Sequence, residues 1–527
     1  MMSTLRVLPR EPSLGPALVA CVLLAAACGD SGGTTATGQG TDSDTSGAPS
    51  SSSTDDPTTT DSGTSATTDV PTSGITDSAT GTTGTTDTNT TDTTTDTTTT
   101  TTGSSTTDTT TDTTTGGVDD LPTSCLAADF PVDASLCGAD GPACALKRDE
   151  QVSAKLAFRN DMPALALRGD CGPALLYSEA VGGYFGFYGE RTGADAWAVE
   201  PTPMPVATGS LEFDPAAEQA HAVVDDGAFG VSLWQRSAGV WKQASKLAGM
   251  NHARAPQLAR DGDGVLHLGH IDATERALSE TFDGKWTTTQ VDNSADVHVR
   301  LALDADNKPR LTYWSSKEAT WKLYFAAPPA APELVTPLKS NVLDRPHTSL
   351  ALAGPDMTPW VLAARHQADQ IHFDLVLLHR MGPAKWAEEI LIAENAVADK
   401  TCDFEPDSPG QQCKYDYIQL YPIGLVSAGA EVRAIYNAIN FKGTLISQCM
   451  AMPVPICVWT PQSDVSTAEL RVAWPGSAPD EHQLVTTDVF TDRATTRLDP
   501  GGNVHLGFYD QKPGTADPIV RYLAFGP

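Results

Sequence analysis

No apolar run in this sequence reaches the roughly 20 residues that a membrane-spanning helix needs, so we predict that nothing spans a membrane in the mature chain. The Gly-x-Ser-x-Gly, His-Glu-x-x-His and Walker motifs are also missing, and with them the usual signatures of hydrolases, zinc proteases and nucleotide-binding enzymes. We therefore predict no catalytic residue, no metal site and no cofactor. No stretch keeps a 3.6-residue apolar period, which argues against a helical domain.

Residues 1–27 have the layout of a signal peptide. Arg6 and Arg10 precede an apolar run that stops abruptly at Cys28. The alanines directly before this cysteine resemble the bacterial lipobox, in which the thiol receives a diacylglyceryl group and the chain is cut on its N-terminal side. The resemblance implies that Cys28 is the lipid-attachment residue and that the mature chain begins there. The alternative is an ordinary secretory signal cut after Ala27, which leaves a free thiol.

Two neighbours of the cysteine bear on its processing and destination. Ala25 stands where the strongest lipobox has a leucine, which bears on the efficiency of cleavage. Gly29 stands where enteric lipoproteins of the inner membrane carry a retaining aspartate. We therefore expect an outer-membrane lipoprotein of the cell envelope, with its globular part periplasmic or surface-exposed. Two or three acyl chains, at about 0.8 kcal/mol per buried CH₂, give a stable anchor.

Residues 28–117 consist almost wholly of Thr, Ser, Gly and Asp and contain no Lys or Arg. Such a low-complexity composition cannot bury a core, so the segment is predicted to be disordered. We interpret it as a tether that lifts a domain off the membrane. An unselected low-complexity expansion is the alternative, and it predicts the same disorder. Residues 118–150 then form a Cys-containing lead-in to a globular domain at 151–527.

The globular part is acidic. The whole chain has a net charge of −32, and the segment 30–120 accounts for 15 Asp with no base. Because residues 1–29 add a net +1, a net charge of −18 remains on residues 121–527. This charge argues against nucleic acid and anionic headgroups as partners. A protein, a neutral glycan or a cation stays open as the ligand, and we expect a monomer.

Eight cysteines remain after the signal peptide and Cys28 are set aside, and an even number in an exported chain favours disulfides. We predict local pairs between Cys402 and Cys413 and between Cys449 and Cys457, because each pair brackets a short Pro-containing segment. The other four can pair in three ways, and the spacing leaves all three open. They are Cys125, Cys137, Cys144 and Cys171.

An internal repeat runs through residues 150–527. In its clearest copy, Leu301–Asp304 is followed by a turn, by Arg310–Tyr313 and then by Leu323–Phe325, as short alternating strands. The turn positions Asp261 and Asp304 are 43 residues apart, which is a spacing typical of four-strand propeller blades. Seven units can be traced, and they begin near Leu165, Leu211, Leu258, Leu301, Leu350, Ile423 and Arg497.

The repeat unit resembles that of sialidase-like and related β-propellers of secreted bacterial proteins. The resemblance implies an all-β ring of about seven four-stranded blades, with six or eight as alternatives, preceded by the disordered stalk. The Asp-box Ser-x-Asp-x-Gly-x-Thr-Trp of true sialidases is absent. We interpret the two Cys-containing segments after residue 400 as stapled loops on one face. His267 and His505 share a position that Arg310 occupies in another unit, which predicts a half-exposed strand position.

Basic side chains stand just ahead of several predicted innermost strands, where they are expected to converge on the central channel. Such a cluster can bind a carboxylate or a sugar acid through bidentate guanidinium contacts. The alternative, which the sequence favours, is that each residue is solvated in its loop or pairs with an acidic neighbour. These candidate ligand-binding residues are Arg254, His298, Arg300, Arg345, His347 and Arg493. The leading hypothesis is a surface propeller that binds a protein or glycan without catalysis. A glycoside hydrolase or polysaccharide lyase of propeller fold is the alternative.

Overall fold

The computed structural model describes residues 122, 124–125, 134–153, 162–180, 184–227, 230–247, 253–316, 321–335, 347–367, 372–394, 409–450, 456–512 and 518–527. Across these ranges the chain forms 28 strands. Within the same ranges there is no helix long and apolar enough to cross a membrane. Cys28 and the predicted tether lie outside them.

The strands are numbered in chain order. From β1 to β28 they are Ala145–Gln151, Ala164–Leu167, Pro173–Ala180, Tyr184–Gly193, Ala196–Pro205, Thr208–Asp214, Gln219–Asp225, Val231–Ser237, Val240–Lys246, Ala253–Arg260, Leu266–Asp272, Ala277–Phe282, Trp286–Asp292, Val297–Leu303, Pro309–Ser315, Lys322–Ala326, Glu333–Leu334, Thr348–Ala353, Thr358–His366, Phe373–Gly382, Lys385–Ala393, Gln412–Ala428, Glu431–Met450, Ile456–Ala473, Gln483–Thr487, Thr495–Leu498, Val504–Asp510 and Ile519–Gly526.

These strands form seven antiparallel sheets of four strands each, which confirms the predicted propeller of seven blades. Blades 1 to 6 are β2–β5, β6–β9, β10–β13, β14–β17, β18–β21 and β22–β25, and blade 7 consists of β26–β28 with β1. The first strands of neighbouring blades contact one another all round the ring, from β2 to β6 and onward to β26 and back to β2. The first strands therefore surround the central channel. All seven predicted repeat units begin at or within one of them.

The ring has two faces. We call the face at which each first strand begins the upper face, and the opposite face, where it turns into the second strand, the lower face. Because successive strands are antiparallel, the connections between blades lie at the upper face.

The core is divided among the interfaces between blades. Seven hydrophobic clusters are present in the described ranges, and each joins two neighbouring blades. Strand β18 shows why the residues alternate, because Leu350 and Leu352 pack towards blade 4 while Ala351 and Ala353 pack towards blade 6. Successive side chains of a strand point to opposite faces of its sheet. Both sheet faces of a blade are thus buried without a helix.

A repeated glycine sits where two blades come closest. A Cβ added to Gly269 would lie 2.9 Å from a side-chain carbon of Leu311, and one added to Gly507 would lie 2.5 Å from a side-chain carbon of Leu175. Such separations are too short for carbon atoms in van der Waals contact. The His-Leu-Gly repeat in β11 and β27 therefore keeps its glycine for packing against the next blade.

The N-terminal strand closes the ring. Strand β1, which belongs to the predicted lead-in, pairs with β28 as the outermost strand of blade 7. Its Glu150 is 3% exposed. This carboxylate accepts a hydrogen bond from Arg191 Nε at 2.9 Å and another from Trp197 Nε1 at 2.9 Å, both in blade 1. The ring of blades thus begins before residue 151, because strand pairing at its seam uses residues from both ends of the domain.

The lower-face turns of blades 3, 4 and 7 share one hydrogen-bond pattern. In blade 7, one carboxylate oxygen of Asp499 accepts bonds from the amides of Gly501 and Asn503. The other oxygen lies 3.0 Å from Nε2 of His505. The corresponding acceptors are Asp261, which contacts His267, and Asp304, which contacts Arg310.

This pattern corrects the expectation for the repeated histidines. His267 is 6% exposed and His505 is fully buried, whereas the sequence predicted half-exposed positions. The reason is the aspartate six residues earlier, which supplies the partner that a buried imidazole needs. It also explains the exchange with Arg310, since either side chain can donate to the carboxylate.

Blade 6 departs from the others in length. Strands β22, β23 and β24 have 17, 20 and 18 residues, and their pairing runs from the lower-face turn to the Met450–Ile456 pair. At about 3.4 Å per residue, they extend past the upper face by on the order of 30 Å. The predicted stapled loops are therefore wrong at Cys413, Cys449 and Cys457, which lie on paired strands.

Candidate functional site

Five of the six predicted basic residues lie in the described ranges, and all five stand where a first strand begins. Arg254 and His298 are the second residues of β10 and β14, and Arg300 follows in β14. His347 directly precedes β18, and Arg493 precedes β26 by two residues. They belong to the upper face, although Arg254, His298 and Arg300 lie within the strands that they were predicted to precede. Arg345 lies outside the described residues.

A β-bulge sets the direction of His298. Val297 pairs with Trp314 and Arg300 with Thr312, so two residues of β14 oppose one residue of β15. His298 has φ 54°, in the left-handed region that non-glycine residues rarely occupy. A bulge bends a strand and re-aims a side chain, and bulges are frequent beside binding sites.

The re-aimed imidazole meets a second histidine. The ring centroids of His298 and His347 are 4.3 Å apart with an edge-to-face geometry. His347 is buried, and His298 is half-buried. Nδ1 of His298 is buried without a hydrogen-bond partner among the described atoms. The two rings come from blades 4 and 5, so the pair joins neighbouring first strands at the channel mouth.

Arg300 reaches across the ring. Its Nε donates to the Thr348 carbonyl at 2.8 Å and its Nη1 to the Val299 carbonyl at 3.1 Å. Its Nη2 lies 3.6 Å from Sδ of Met162, which precedes the first strand of blade 1. Since blades 1 and 4 are three positions apart in a ring of seven, this guanidinium spans the channel.

Arg493 precedes the first strand of blade 7, and its charge acts on the same imidazole. Burial lowers the pKa of His298 to about 3, with the charges of Arg300 and then Arg493 acting in the same direction and Asp492 opposing them. Nε of Arg493 donates to Asp492 at 3.2 Å. Contacts thus bring His298, Arg300 and His347 of blades 4 and 5 together, while Arg493 of blade 7 acts on His298 through its charge. We call these four residues the mouth cluster.

Arg254 does not join the mouth cluster. It directly precedes a bulge in β10 and therefore matches Val297, the residue that directly precedes the bulge in β14. Its side chain is exposed, and no described contact links it to the four clustered residues. The bulge backbone is shared by blades 3 and 4, but its left-handed residue is Ala255, at φ 46°, in blade 3 and His298 in blade 4.

The channel below the mouth cluster holds a narrow cavity that sequence reasoning missed. The room inside it is about 10 Å³, at the lower limit of what one water molecule needs. Its lining includes Gln257 and Thr495 together with Met162, which also touches Arg300. The full lining is Met162, Ala164, Leu165, Gly209, Ser210, Leu211, Gln257, Thr495 and Arg497.

An ion pair spans the lower part of this channel. Arg497 of β26 donates to Glu212 of β6 at 3.3 Å, reaching past blade 1. Burial raises the pKa of Glu212, although the charge of Arg497 opposes that rise. Neither residue stood out in the sequence, because the facing of two strands 285 positions apart leaves no local pattern.

The cysteines of the lead-in are tied to the lower face. Cys125 is bonded to Cys171, in the turn between β2 and β3, and Cys137 is bonded to Cys144. One of the three pairings that the spacing allowed is thereby selected. Nε of Arg433 donates to the Cys137 carbonyl at 2.7 Å beside the lower-face turn of blade 6.

The later cysteines lie in blade 6. Cys449 and Cys457 form the predicted disulfide. Cys413 is also disulfide-bonded, while its predicted partner Cys402 lies outside the described residues. Within the described ranges, no group of three or more His, Cys, Asp or Glu side chains is placed to hold a metal ion.

No protein-family model and no curated protein matches the sequence. Among solved structures, the chain is similar to AofleA from Arthrobotrys oligospora, with 9% identity over 66% of this chain and 97% of that one and a TM-score of 0.32. A mutant of the Aleuria aurantia lectin in complex with Fucα1-6GlcNAc matches at 8% identity over 59% and 97%, with a TM-score of 0.34.

A third solved structure, the Bacteroides ovatus xyloglucan PUL GH43B protein, matches at 12% identity over 72% of this chain and 99% of that one, with a TM-score of 0.29. Likenesses of this size assign no function. The chain is a seven-bladed β-propeller with disulfides, and its function has to be argued from its own residues.

Proposed function

We propose that this protein is a lipid-anchored propeller of the outer membrane that binds a glycan or a protein at the upper face without catalysis. The observation that carries the proposal is the mouth cluster at the upper face, where the rings of His298 and His347 from blades 4 and 5 lie 4.3 Å apart and Arg300 reaches Met162 of blade 1. Ligand sites in ring-shaped folds combine residues of several elements around a concave opening. The long strands of blade 6 rise beside this opening and add surface for a large ligand.

The absence of catalysis is proposed from the kind of residues in the cluster. Glycoside hydrolysis ordinarily uses two carboxyl groups at a fixed separation across the scissile bond. Among the described residues, Asp492 is the carboxylate that acts on the mouth cluster, and it is bonded to Arg493. A pair of arginines and a pair of histidines suits binding better than proton transfer between two carboxyls.

The second candidate function is a glycoside hydrolase or polysaccharide lyase. Glu212 favours it, because a half-buried carboxyl with a raised pKa is the form that a general acid takes. Its ion pair with Arg497 favours a structural role. Turnover of any glycan by the pure protein, lost in Glu212→Gln, would establish this alternative in place of binding alone.

Binding is tested with the full mature chain in detergent. A glycan array and a pull-down from envelope extract should each be run with the protein and with an Arg300→Met, His347→Ala double variant. We expect a ligand that the unmodified protein retains and the double variant loses. A ligand retained equally by both would place binding away from the channel mouth.

The anchor is tested separately. We expect the mature protein to carry a diacylglyceryl mass increment on Cys28 and to fractionate with outer membranes. Cys28→Ser should abolish both, because no other residue offers a thiol at the cleavage point. A soluble mature protein that begins at Cys28 with an unmodified thiol would support the ordinary secretory signal.

A further inference from the structure

Each blade ends in an outer strand that is paired with its own sheet on one side. The other side is an edge, which is a template for pairing with another chain. Folded proteins blunt such edges with prolines, with charged side chains, with a very short strand or with a covering segment. The seven outer strands can be compared for these features. They are β5, β9, β13, β17, β21, β25 and β1.

Six of the seven edges are blunted. Strand β5 contains three prolines and a glutamate, and β9 contains two lysines. Strand β21 has a lysine and two glutamates, and β1 has four charged residues. Strand β17 has two residues and β25 has five. The lead-in also lies against β25, because the amide of Cys144 donates to the side chain of Gln483 at 2.6 Å.

Strand β13 of blade 3 is the exception. Its sequence is Trp-Thr-Thr-Thr-Gln-Val-Asp, so its first six residues include neither a charge nor a proline. The side chains of Thr287, Thr288, Thr289 and Gln290 are all exposed, and threonine favours the extended strand. Among the described residues, no strand or loop is hydrogen-bonded to the outer side of β13. This edge is therefore long, polar, uncharged and uncovered.

The residues of β13 suit a second copy of the same strand. Two copies that pair antiparallel about a two-fold axis place one central residue opposite itself. If that residue is Thr288, then Thr287 faces Thr289 and Trp286 faces Gln290 of the other copy. Pairs of threonines across two strands are favourable, whereas like charges directly opposite are destabilising. No like charges meet within these five positions.

The charges at the two ends of β13 are complementary. Lys285 precedes the strand and Asp292 ends it. With the axis at Thr288, antiparallel pairing brings each Lys285 within one residue of Asp292 of the other copy. Asp283 in the same turn offsets part of this attraction. The net charge of −18 on residues 121–527 opposes association, but exposed charges more than about 8 Å apart are largely screened at physiological salt.

An interface of this kind is weak. Two paired strands of seven residues bury less area than the roughly 1,200 Å² that stable complexes need. In dilute solution the chain then stays a monomer, as expected from its sequence. Anchoring in one membrane confines the copies to a surface and raises their effective concentration, which favours a weak dimer.

We propose that the edge of β13 is a self-association site, at which two anchored copies of this chain pair as antiparallel strands. The inference goes beyond the proposed binding function and relies on it only for the anchor at Cys28. Two strands separate β13 from the first strand of its blade. Pairing at the rim therefore leaves the mouth cluster of each copy uncovered.

Cysteine cross-linking tests the pairing. Full mature chains with Thr287→Cys, Thr288→Cys or Thr289→Cys are reconstituted in phosphatidylcholine vesicles and oxidised with copper phenanthroline. The cysteines of the described ranges are already in disulfides. We expect one variant to give at least fivefold more cross-linked dimer than the others, because a residue on the two-fold axis faces its own copy and its neighbours point to the other side of the sheet.

Two matched variants locate the contact. Gln290→Lys adds a charge to β13, and Gln243→Lys adds one to β9, which already has two lysines. Both glutamines are exposed. In the variant that cross-links best, Gln290→Lys should reduce the dimer at least fivefold and Gln243→Lys should leave it unchanged. If the cysteine variants fail to fold, energy transfer between labelled copies of the otherwise unmodified chain, with and without Gln290→Lys, decides in the same vesicles.

Several results would overturn the self-association site. Equal cross-linking at all three positions indicates random collision, and no cross-linking at any position indicates no pairing. A dimer that is lost in Gln243→Lys but kept in Gln290→Lys places the contact at β9. Cross-linking to another protein in cell envelopes, without dimers in vesicles, indicates a foreign strand in place of a second copy. Loss of every ligand with cross-linking retained would count against the proposed binding function alone.

Discussion

At the lower face, Asp261, Asp304 and Asp499 make the same turn in three blades, and each bonds a cationic or imidazole side chain six residues later. At the upper face, the same backbone bulge holds Ala255 in blade 3 and His298 in blade 4 in the left-handed conformation, so that a methyl group stands in one blade where the other has an imidazole. The lower face thus repeats one solution, whereas the upper face varies its side chains on a repeated backbone. Repetition serves stability, and variation provides a site.

The largest loss of stability is expected at the lower face. Asp499 and His505 are both fully buried, and removal of one partner leaves the other without compensation. We expect Asp499→Ala to lower the free energy of unfolding by about 3–5 kcal/mol, measured by urea denaturation. Asp304→Ala is the matched control, since Arg310 is partly exposed, and it should cost about half as much or less. Equal losses in the two variants would contradict the role assigned to burial.

The disulfides of the lead-in should follow in size. The Cys125–Cys171 bond closes a separation of 46 residues and the Cys137–Cys144 bond one of 7. Chain-entropy estimates give about 4 kcal/mol for the longer loop and about 2.5 kcal/mol for the shorter one. We expect Cys125→Ser with Cys171→Ser to lower the urea midpoint more than the corresponding Cys137 and Cys144 pair does. The reverse order would show that the lead-in is held mainly by its packing on blade 6.

As the pH falls, the stabilising contribution of His298 at the upper face should be lost before that of Asp499 at the lower face. The pKa of His298 is about 3 in the folded protein and about 6.5 when unfolded. Below pH 6.5 the unfolded chain takes up a proton that the folded chain does not, so stability falls as the pH falls. Between pH 7 and pH 5 this residue accounts for about 2 kcal/mol of lost stability.

The measurement is a comparison with His298→Asn, because asparagine tolerates the left-handed backbone and does not titrate. Urea denaturation at pH 7, 6 and 5 should show a smaller loss in the variant. The carboxylate of Asp499 at the lower face is protonated only at a lower pH. Burial raises its pKa, but hydrogen bonds from His505 and Asn503 outweigh burial and keep the pKa below its usual value. Its contribution is lost only as the pH falls through that lowered pKa. Identical pH dependence of protein and variant would contradict the buried neutral state of His298.

The two faces also differ in how far the sequence could predict them. The seven units, and the turns at Asp261 and Asp304, could be located because each is encoded by a few neighbouring residues with alternating burial. Strand β1 could not, because its pairing with β28 joins residues from the two ends of the domain. The exposed strands of blade 6 were missed because a Pro- and Cys-containing segment resembles a loop until its partner strands are known.

The candidate site could be predicted only in part. Its features that depend on neighbouring residues followed from the sequence, whereas its contacts between distant strands did not. The positions of Arg254, His298 and Arg493 at strand beginnings followed from the repeat, and their shared face followed from topology. Which of them meet is decided by the bulge and by the cross-ring reach of Arg300 to Met162, a contact across 138 residues. The pairing of Arg497 with Glu212 has the same character.

The smallest effect is expected for Arg254→Met, and it tests the comparison of blades 3 and 4 most directly. The side chain is exposed and outside the mouth cluster, so the free energy of unfolding should change by less than about 0.5 kcal/mol. The reciprocal variant, Ala255→His, puts imidazole at the position of blade 3 that matches His298. Its imidazole pKa, followed by NMR titration, should be lowered less than that of His298, because the charges of Arg300 and Arg493 act in blade 4. An equally lowered pKa at residue 255 would mean that the repeated bulge alone, rather than the arginines near β14, creates the environment of the site.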